Sequence, residues 1–436
     1  MYEDKTRVYL ERSKSSPINV SLVRAHDLDP RDPFLQIFPR AFGRLRSLSI
    51  NATPRGLPDL TSQLSLPAPL LEDLKIDGRS RHSPHLNPVL TPALFNGDLS
   101  SLRKLHLQSV HTELPWRDMA NLTSFALVST SQGEISIKHL LDFFESAPRL
   151  REICLHDATP TFGAQNGRLV PLEHLKRMEI AREGPSSLLL NHLLIPVGAE
   201  LTTQVDLLGS LIEDHLPRSL DNLRHLSDFT EIHLRAAGWD QFVRLSGPNG
   251  RVTMISATQT DTTRVALGSL VWIDTSKVER LEIDCDDTVS INLSYRTLLC
   301  MEDLRTLTLS HRQSSHGFIA ALRPNTSSSE VVVCPKLEEL FLAFPVDRET
   351  FDVKAFIGMV AGRASREAKL KFVGIISRDP VLQVDSLELE KHVLRVEYGT
   401  YVDGASDDSD ENSRKKGEGF VIVQLVGLRP CLDVVS

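Results

Sequence analysis

The chain has 436 residues, of which 41% are hydrophobic and 24% charged, and a formal net charge of -8 at pH 7. A chain of this length can bury a large core without disulfides or a structural metal. Its mild acidity gives no support to nucleic-acid binding through a basic surface. No apolar run reaches the about 18 residues of a membrane-spanning helix, and the polar amino terminus lacks the apolar centre of a signal peptide. Together with five scattered cysteines and no CxxC pair, this predicts an intracellular protein, cytoplasmic or nuclear, that binds neither nucleic acid nor membrane.

The first predicted elements are a short helix over residues 4–13 and a strand over residues 18–23. We interpret residues 1–40 as a capping helix and strand that lead into the first of a series of repeats.

One pattern then recurs along the chain, with apolar residues in slots one, four and six of each copy. Its fourteen copies have a mean period of about 27 residues, inside the roughly 20–29 residues of leucine-rich repeats. Because slots four and six lie two residues apart, they share one face of a strand and should point into the core. Slot one is occupied by Pro17, Leu45, Leu71, Leu102, Leu122, Leu150, Leu175, Thr202, Phe229, Val252, Val278, Leu304, Leu337 and Leu370.

Between the strands, the apolar spacing predicts helices over residues 137–146 and 353–362, whereas the proline-rich stretch 51–69 predicts a loop. Slot nine lacks the recurring Asn or Cys of ordinary leucine-rich repeats. We therefore expect the loops that follow the strands to differ in conformation from repeat to repeat.

The chain ends in two predicted strands, over residues 393–401 and 420–426, which would form a hairpin. Between them, residues 403–419 are acidic and lack large apolar side chains, which predicts a disordered loop. A calcium loop or an acidic interaction tract is the alternative, although the arrangement of a calcium loop is missing. The predicted organisation is a cap over 1–40, repeats over 41–380 and a C-terminal cap or hairpin over 381–436.

These elements predict an α/β fold. It would be an irregular leucine-rich-repeat solenoid, or horseshoe, with a parallel sheet on the concave face and helices or loops on the convex face. The alternative is an ordinary α/β domain whose strands are rich in leucine.

Slots three, five and seven of each strand should point outward and form a polar face of the sheet. This face is either an ordinary solvated surface or a protein-binding surface, and we favour the second because solenoids commonly bind partners there. The candidate binding residues are Lys104, His106, Glu152, His156, Arg177, Glu179, Glu231, His233, Arg235, Arg280 and Glu282.

No catalytic motif stands out, so we expect a protein that is not an enzyme and has no cofactor and no metal. The nearest approach to a metal pair is His82 and His85, in a proline-rich loop without a nearby Cys or carboxylate. Cys285 is flanked by aspartates, which would raise its pKa and make it a poor nucleophile. Cys154 should face outward on the sheet as an inert thiol.

Three segments resemble a known family. They are the run YLERSKSSPINVSL, with Leu10, Arg12, Ser13, Pro17, Ile18 and Val20; the phrases APRLREICL and CPKLEELFL; and the ending EKHVLRVEYGTYVDGASDDSD. Together they resemble the fungal F-box/leucine-rich-repeat proteins. The resemblance implies repeats that present a substrate to a ubiquitin ligase, and an F-box that docks on the ligase adaptor.

In that family the F-box should precede the segment that begins at Tyr9, where this chain has only eight residues. We therefore expect a protein-binding module with an unknown protein partner or substrate, which meets a ubiquitin-ligase adaptor only if an F-box is supplied elsewhere. The alternative is a free-standing repeat scaffold unrelated to ubiquitination.

Overall fold

The protein has a mixed α/β structure with a large, parallel-dominated sheet and fewer helices. Contacts divide the chain into two compact units. Unit 1 comprises Met1–Asp206, Glu213–Ser227 and Asn249–Met254, and unit 2 comprises Leu207–Ile212, Asp228–Pro248 and Ile255–Ser436. The computed structural model describes residues 8, 10–25, 38–53, 56–78, 89–90, 94–112, 119–129, 135–157, 160–161, 167–181, 187–205, 216, 223, 228–236, 241–248, 250–256, 262–270, 273–324, 332–344, 351–377, 386–401 and 423–425.

Unit 1 is built on strands that pair in parallel with the next long strand along the chain. The order is β1-β2-β3-β5-β7-β9-β12-β14, and the short strands form the separate pairs β4–β6, β8–β10 and β11–β13. The strands are β1 Ile18–Ala25, β2 Leu45–Ala52, β3 Asp73–Asp77, β4 Val89–Leu90, β5 Lys104–Gln108, β6 His111–Thr112, β7 Ser124–Val128, β8 Ile135–Ser136, β9 Glu152–His156, β10 Pro160–Thr161, β11 Val170–Pro171, β12 Arg177–Ala181, β13 Leu193–Leu194 and β14 Glu200–Val205.

The side-chain alternation predicted from the pattern is confirmed in β2, β5, β7 and β9. It is wrong for Asp77 of β3 and Ala181 of β12, which occupy slot seven and are buried. Slots four of neighbouring copies lie in register, as Leu48 does with Leu74 and Leu74 with Leu105. All three of these leucines are buried, with at most 1% exposed. The register therefore stacks apolar side chains from strand to strand, so that each strand covers the apolar face of its neighbour.

The helices of unit 1 lie in the segments between strands, at α1 Gly56–Gln63, α2 Ile137–Ser146 and α3 Ser187–Leu190, with 3₁₀ turns at Phe38–Arg44 and Leu94–Gly97. Helix α2 has the bounds predicted from the sequence. Its Phe143 ring packs against Phe125 of β7, with the ring centroids 4.5 Å apart.

The prediction of a loop throughout 51–69 is wrong, because α1 forms inside it. Leu57 and Leu60 lie on one face of the helix, Leu64 directly follows it, and all three are buried. Burial of that face stabilises the helix. Pro58 falls in the first turn of the helix, where a missing N–H removes no intrahelical bond.

The loops that follow three neighbouring strands begin in the same way. Ser109, Ser129 and Asp157 all occupy slot eight and adopt positive φ angles of 52°, 54° and 50°. Each donates its N–H to the last carbonyl oxygen of the next strand in the sheet, at 2.8, 2.7 and 2.9 Å. The prediction of loops that differ between repeats is therefore wrong at these three positions. A backbone ladder needs no particular side chain, so an Asn or Cys in slot nine is not required.

Unit 2 repeats the parallel arrangement but has an antiparallel strand at each end. β15, β18, β19, β20, β21 and β22 pair in parallel in that order, β16 pairs antiparallel with β15, and β23 pairs antiparallel with β22. The strands introduced here are β15 Glu231–Arg235, β16 Gln241–Gly247, β17 Gly250–Ser256, β18 Arg280–Asp284, β19 Thr306–Leu309, β20 Glu339–Phe344, β21 Phe372–Ser377, β22 Arg395–Tyr401 and β23 Val423–Leu425. Most of β17 belongs to unit 1, where it pairs with β14.

Helices α4 to α7 of unit 2 lie in the segments between strands and pack side by side in chain order. Helix α7 confirms the helix predicted over 353–362 and runs two residues further. The helices are α4 Thr262–Leu270, α5 Ile291–Leu299, α6 Arg312–Leu322, α7 Val353–Ala364 and α8 Ser386–Glu390.

Two weak copies of the pattern were assigned the wrong register. In β14 the buried positions are Leu201 and Thr203, and Leu201 pairs with Met178, so Thr202 does not occupy slot one. In β17, Val252 is buried with Met254, not with the exposed Ile255. A buried threonine carries no hydrophobic signal, which explains the first error.

The predicted C-terminal hairpin is confirmed as the antiparallel pair β22–β23. The acidic segment 403–419 and half of the predicted helix 4–13 lie outside the described residues, and residues 8 and 10–12 of that helix are helical. The domain boundaries predicted at residues 40 and 380 stay predictions. Among the residues that the structure describes, no helix has the length and apolar character needed to cross a membrane.

Candidate binding site on the polar face of the sheet

The polar face consists of the side chains in slots three, five and seven, opposite the buried slots four and six. In unit 1, Lys104, Glu152 and Arg177 occupy slot three of three strands, and all are exposed. His106 and Glu179, in slot five, are half-buried. The predicted binding residues of unit 1 thus point away from the core, with the slot-three side chains the most accessible.

The charges of this face are arranged across strands. Glu152 and Arg177 lie opposite one another in the register of β9 and β12. The guanidinium of Arg177, however, makes its ion pair with Glu200 of β14, at 3.5 Å. The carboxylate of Glu152 accepts a hydrogen bond from Ser124 Oγ on β7, at 3.2 Å.

Cys154, His156 and Glu179 form a compact cluster on this face. Cys154 and Glu179 are direct partners across β9 and β12, and His156 lies two residues beyond Cys154 on the same face. His156 Nε2 and Glu179 Oε1 are 2.8 Å apart. Burial, followed by the charge of Glu179, raises the pKa of the Cys154 thiol to about 11. Cys154 faces outward as predicted, but it is not isolated.

A basic pocket opens at the amino end of the same strands. It has a volume of about 300 Å³ and is lined by Arg103, Asn121, Thr123, Arg149, Arg151 and His174. Arg149 Nη1 donates to Asn121 Oδ1 at 2.9 Å, which orients that guanidinium. None of the described lining residues is acidic, so the pocket offers guanidinium groups to an anionic group.

The polar face of unit 2 also carries ion pairs between neighbouring strands. Arg280 lies 3.7 Å from Glu231, its direct partner in the register of β15 and β18. Arg235 lies 3.4 Å from Asp284. Glu231, Arg235 and Arg280 are predicted binding residues. All three lie on the polar face and are exposed or half-buried.

His233 is the most enclosed of the predicted residues in unit 2. Its Nε2 lies 3.6 Å from Glu282 Oε1, and its ring packs edge-on against Phe242 of β16 at 4.9 Å. Burial lowers the pKa of His233 more than the nearby charge of Glu282 raises it. The imidazole therefore resists protonation in the folded state.

Cys285 follows β18 directly and is buried, with Sγ 2.7 Å from Thr263 Oγ1. Its pKa is raised to about 11, mainly by burial and less by Asp287 and Asp286. The predicted direction is confirmed, although burial contributes more than the aspartates. His82 and His85 lie outside the described residues.

Sequence reasoning missed the Cys154 cluster and the basic pocket. The signal for the cluster was a Cys-x-His sequence in slots five and seven followed by Glu179 in slot five of the next copy. The signal for the pocket was arginine in slot two, at Arg103 and Arg151. Comparison of the chain with family models and with curated proteins gives no match in either case.

Proposed function

We propose that the chain is a non-catalytic protein-binding module that holds its partner on the polar face of unit 1 and in the adjoining basic pocket. We further infer a leucine-rich-repeat solenoid that acts inside the cell. The sequential parallel order of the strands supports the solenoid, since repeat units bury their apolar faces against their neighbours.

The observation that carries the proposal is the basic pocket in a chain of net charge -8. Arg103, Arg149 and Arg151 line one cavity, which concentrates positive charge there. These guanidinium groups offer paired N–H donors to an acidic group of a partner. The polar face next to the pocket adds charged side chains on rigid strands, which favour one orientation of the partner.

The test begins with affinity capture by the unmodified chain, followed by identification and purification of the captured partner. Binding is then measured for Arg103→Glu combined with Arg151→Glu, and for Glu152→Lys combined with Arg177→Glu. We expect each double variant to bind at least about 10-fold more weakly at low salt, with a melting temperature within a few degrees of the parent because exposed ion pairs contribute about 0–1 kcal/mol.

A matched control reverses an exposed ion pair on helix α8 and the turn that follows it. Lys391 Nζ and Glu388 Oε2 are 2.8 Å apart, and Glu388→Lys combined with Lys391→Glu should leave partner affinity unchanged. Unchanged affinity in both test variants would refute the proposed surface.

On the resemblance to F-box/leucine-rich-repeat proteins, we propose that the partner is a ubiquitination substrate. A scaffold unrelated to ubiquitination is the alternative. The two are separated by fusing an F-box to the amino terminus and measuring ubiquitination of the captured partner with the ligase reconstituted. We expect the partner to be ubiquitinated with the fused parent chain and not with the fused pocket variant Arg103→Glu with Arg151→Glu. Absence of modification while the partner is bound favours the scaffold.

A further inference from the structure

Three side chains on the polar face of unit 1 bring together donor atoms of the kinds that bind transition metals. The ligand atoms of Cys154, His156 and Glu179 all lie within 4.8 Å of one another. They come from two hydrogen-bonded strands, each flanked by a further strand, β7 beside β9 and β14 beside β12. Backbone pairing on both sides fixes the spacing of the Cα atoms that carry the three side chains.

The donor set suits zinc. Thiolate, imidazole and carboxylate bind Zn²⁺ at about 2.3, 2.0–2.1 and 2.0–2.2 Å, with tetrahedral geometry. Tetrahedral angles at those lengths place the donors roughly 3–4 Å apart. Small rotations of the side chains therefore bring the donor atoms from the observed spacing to the spacing that zinc requires. The 2.8 Å contact of His156 with Glu179 opens slightly as the ion enters.

A short side chain lies beside each of two of the three ligands. The neighbour of Cys154 on β7 is Ala126, and the neighbour of His156 on β12 is Ala181. Neither alanine side chain reaches over the cluster. The side chains of His156 and Glu179 are 33% and 40% exposed, so solvent reaches the site.

We propose that Cys154, His156 and Glu179 bind one Zn²⁺ ion, with the fourth coordination position open to water or to a side chain of a partner. The thiol loses its proton to bind the metal, and that proton passes to solvent. Three protein ligands with one open position is the usual arrangement of an accessible zinc site. The inference stands independently of the proposed protein partner.

Unit 2 provides an internal comparison. His233 and Glu282 also form an imidazole–carboxylate pair on the polar face, at 3.6 Å. Arg235, which pairs with Asp284 of β18, lies two residues beyond His233, and Arg244 of β16 lies opposite His233. These two guanidinium groups repel a cation, and no thiol of the described residues lies next to His233, so the pair is unfavourable for a metal ion. His233→Gln is therefore a matched control for His156→Gln.

The experiment titrates the metal-free full chain with Co²⁺ and records the thiolate-to-cobalt charge-transfer and ligand-field absorption bands. Zn²⁺ is then added in competition with a chromophoric chelator. We expect one ion per chain and the bands of a tetrahedral site with one thiolate. Cys154→Ser, His156→Gln and Glu179→Gln should each weaken Zn²⁺ binding by more than about 100-fold, since even loss of a residue that only supports a ligand costs 10–100-fold.

Two control variants should retain zinc binding. Cys300→Ser removes an exposed thiol in unit 2, and His233→Gln removes the comparison imidazole; both should bind Zn²⁺ as the parent does. Circular dichroism of each variant verifies its fold. A missing thiolate-to-cobalt band in the parent chain, or a band that survives in folded Cys154→Ser, would overturn the proposal.

Discussion

Leu307→Ala tests the register that organises unit 2. Leu307 is fully buried in β19, between Leu281 of β18 and Leu340 of β20. The substitution removes three carbon atoms with their hydrogens, equivalent to three CH₂ groups worth about 0.8 kcal/mol each in transfer free energy. The paired strands on both sides limit collapse around the gap, so a cavity term adds to this loss. We expect the free energy of unfolding to fall by about 3–5 kcal/mol.

The adjacent Thr308 provides the matched comparison. It lies on the polar face, between Glu282 and Phe341 in the register of the sheet. Thr308→Lys should change the free energy of unfolding by less than about 1 kcal/mol, since the new ammonium group reaches solvent and faces Glu282. Urea titration of both variants gives the midpoints and slopes. Equal losses for Leu307→Ala and Thr308→Lys would refute the alternation of buried and outward positions.

Two further predictions concern buried or enclosed ionisable groups in unit 2. Arg363 is fully buried and donates to the carbonyl oxygens of Val333 and Cys334 at 2.7 and 2.8 Å. Arg363→Ala should cost about 2–5 kcal/mol in urea titrations, because it leaves both carbonyls without this donor and opens a cavity; a neutral result would contradict this. The pKa of His233 is lowered by burial. As pH falls through about 6.5, this imidazole is therefore protonated in the unfolded chain while it stays neutral in the folded chain. Stability should therefore decrease over this range, and His233→Gln should flatten the decrease in urea titrations at several pH values; an unchanged pH dependence would contradict it.

The strand register was predictable from the sequence in the copies whose slots one, four and six all hold large apolar residues. A side-chain period of two fixes which residues face the core, and Leu307, Leu281 and Leu340 follow it. The prediction failed at Thr203, which is buried without being apolar. The strand β16, which pairs antiparallel with β15, was not predicted because it falls between two copies of the pattern.

The strand positions of the candidate site were predictable from the sequence, but the contacts of its side chains were not. Slot numbers placed Glu152, Cys154 and His156 on the outward face of β9, and the structure agrees. The stacking of slot five on slot five also places Cys154 opposite Glu179. How closely the thiol, the imidazole and the carboxylate approach depends on side-chain conformations, which the repeat pattern does not give.

Two glycines in the middle of helices of unit 2 distinguish the effect of close backbone approach on stability from the effect of helix propensity. A Cβ at Gly317 of α6 would lie 2.2 Å from the carbonyl oxygen of Val289 and 3.0 Å from Ser294 Oγ, whereas a Cβ at Gly358 of α7 would meet nothing within 4 Å. Alanine is favoured over glycine in a helix interior by about 0.8–1 kcal/mol.

At Gly358 that preference acts alone, so Gly358→Ala should raise the free energy of unfolding by about 0.4–1 kcal/mol. At Gly317 the new methyl group meets a backbone oxygen that cannot rotate away, and α6 has to move off the segment before α5. Overpacking costs about 1–3 kcal/mol, which exceeds the gain in propensity. Gly317→Ala should therefore lower the melting temperature while Gly358→Ala raises it, as measured by calorimetry. Stabilisation by both substitutions would mean that α6 does not approach Val289 this closely, and the packing of the helices beside the sheet would need a different explanation.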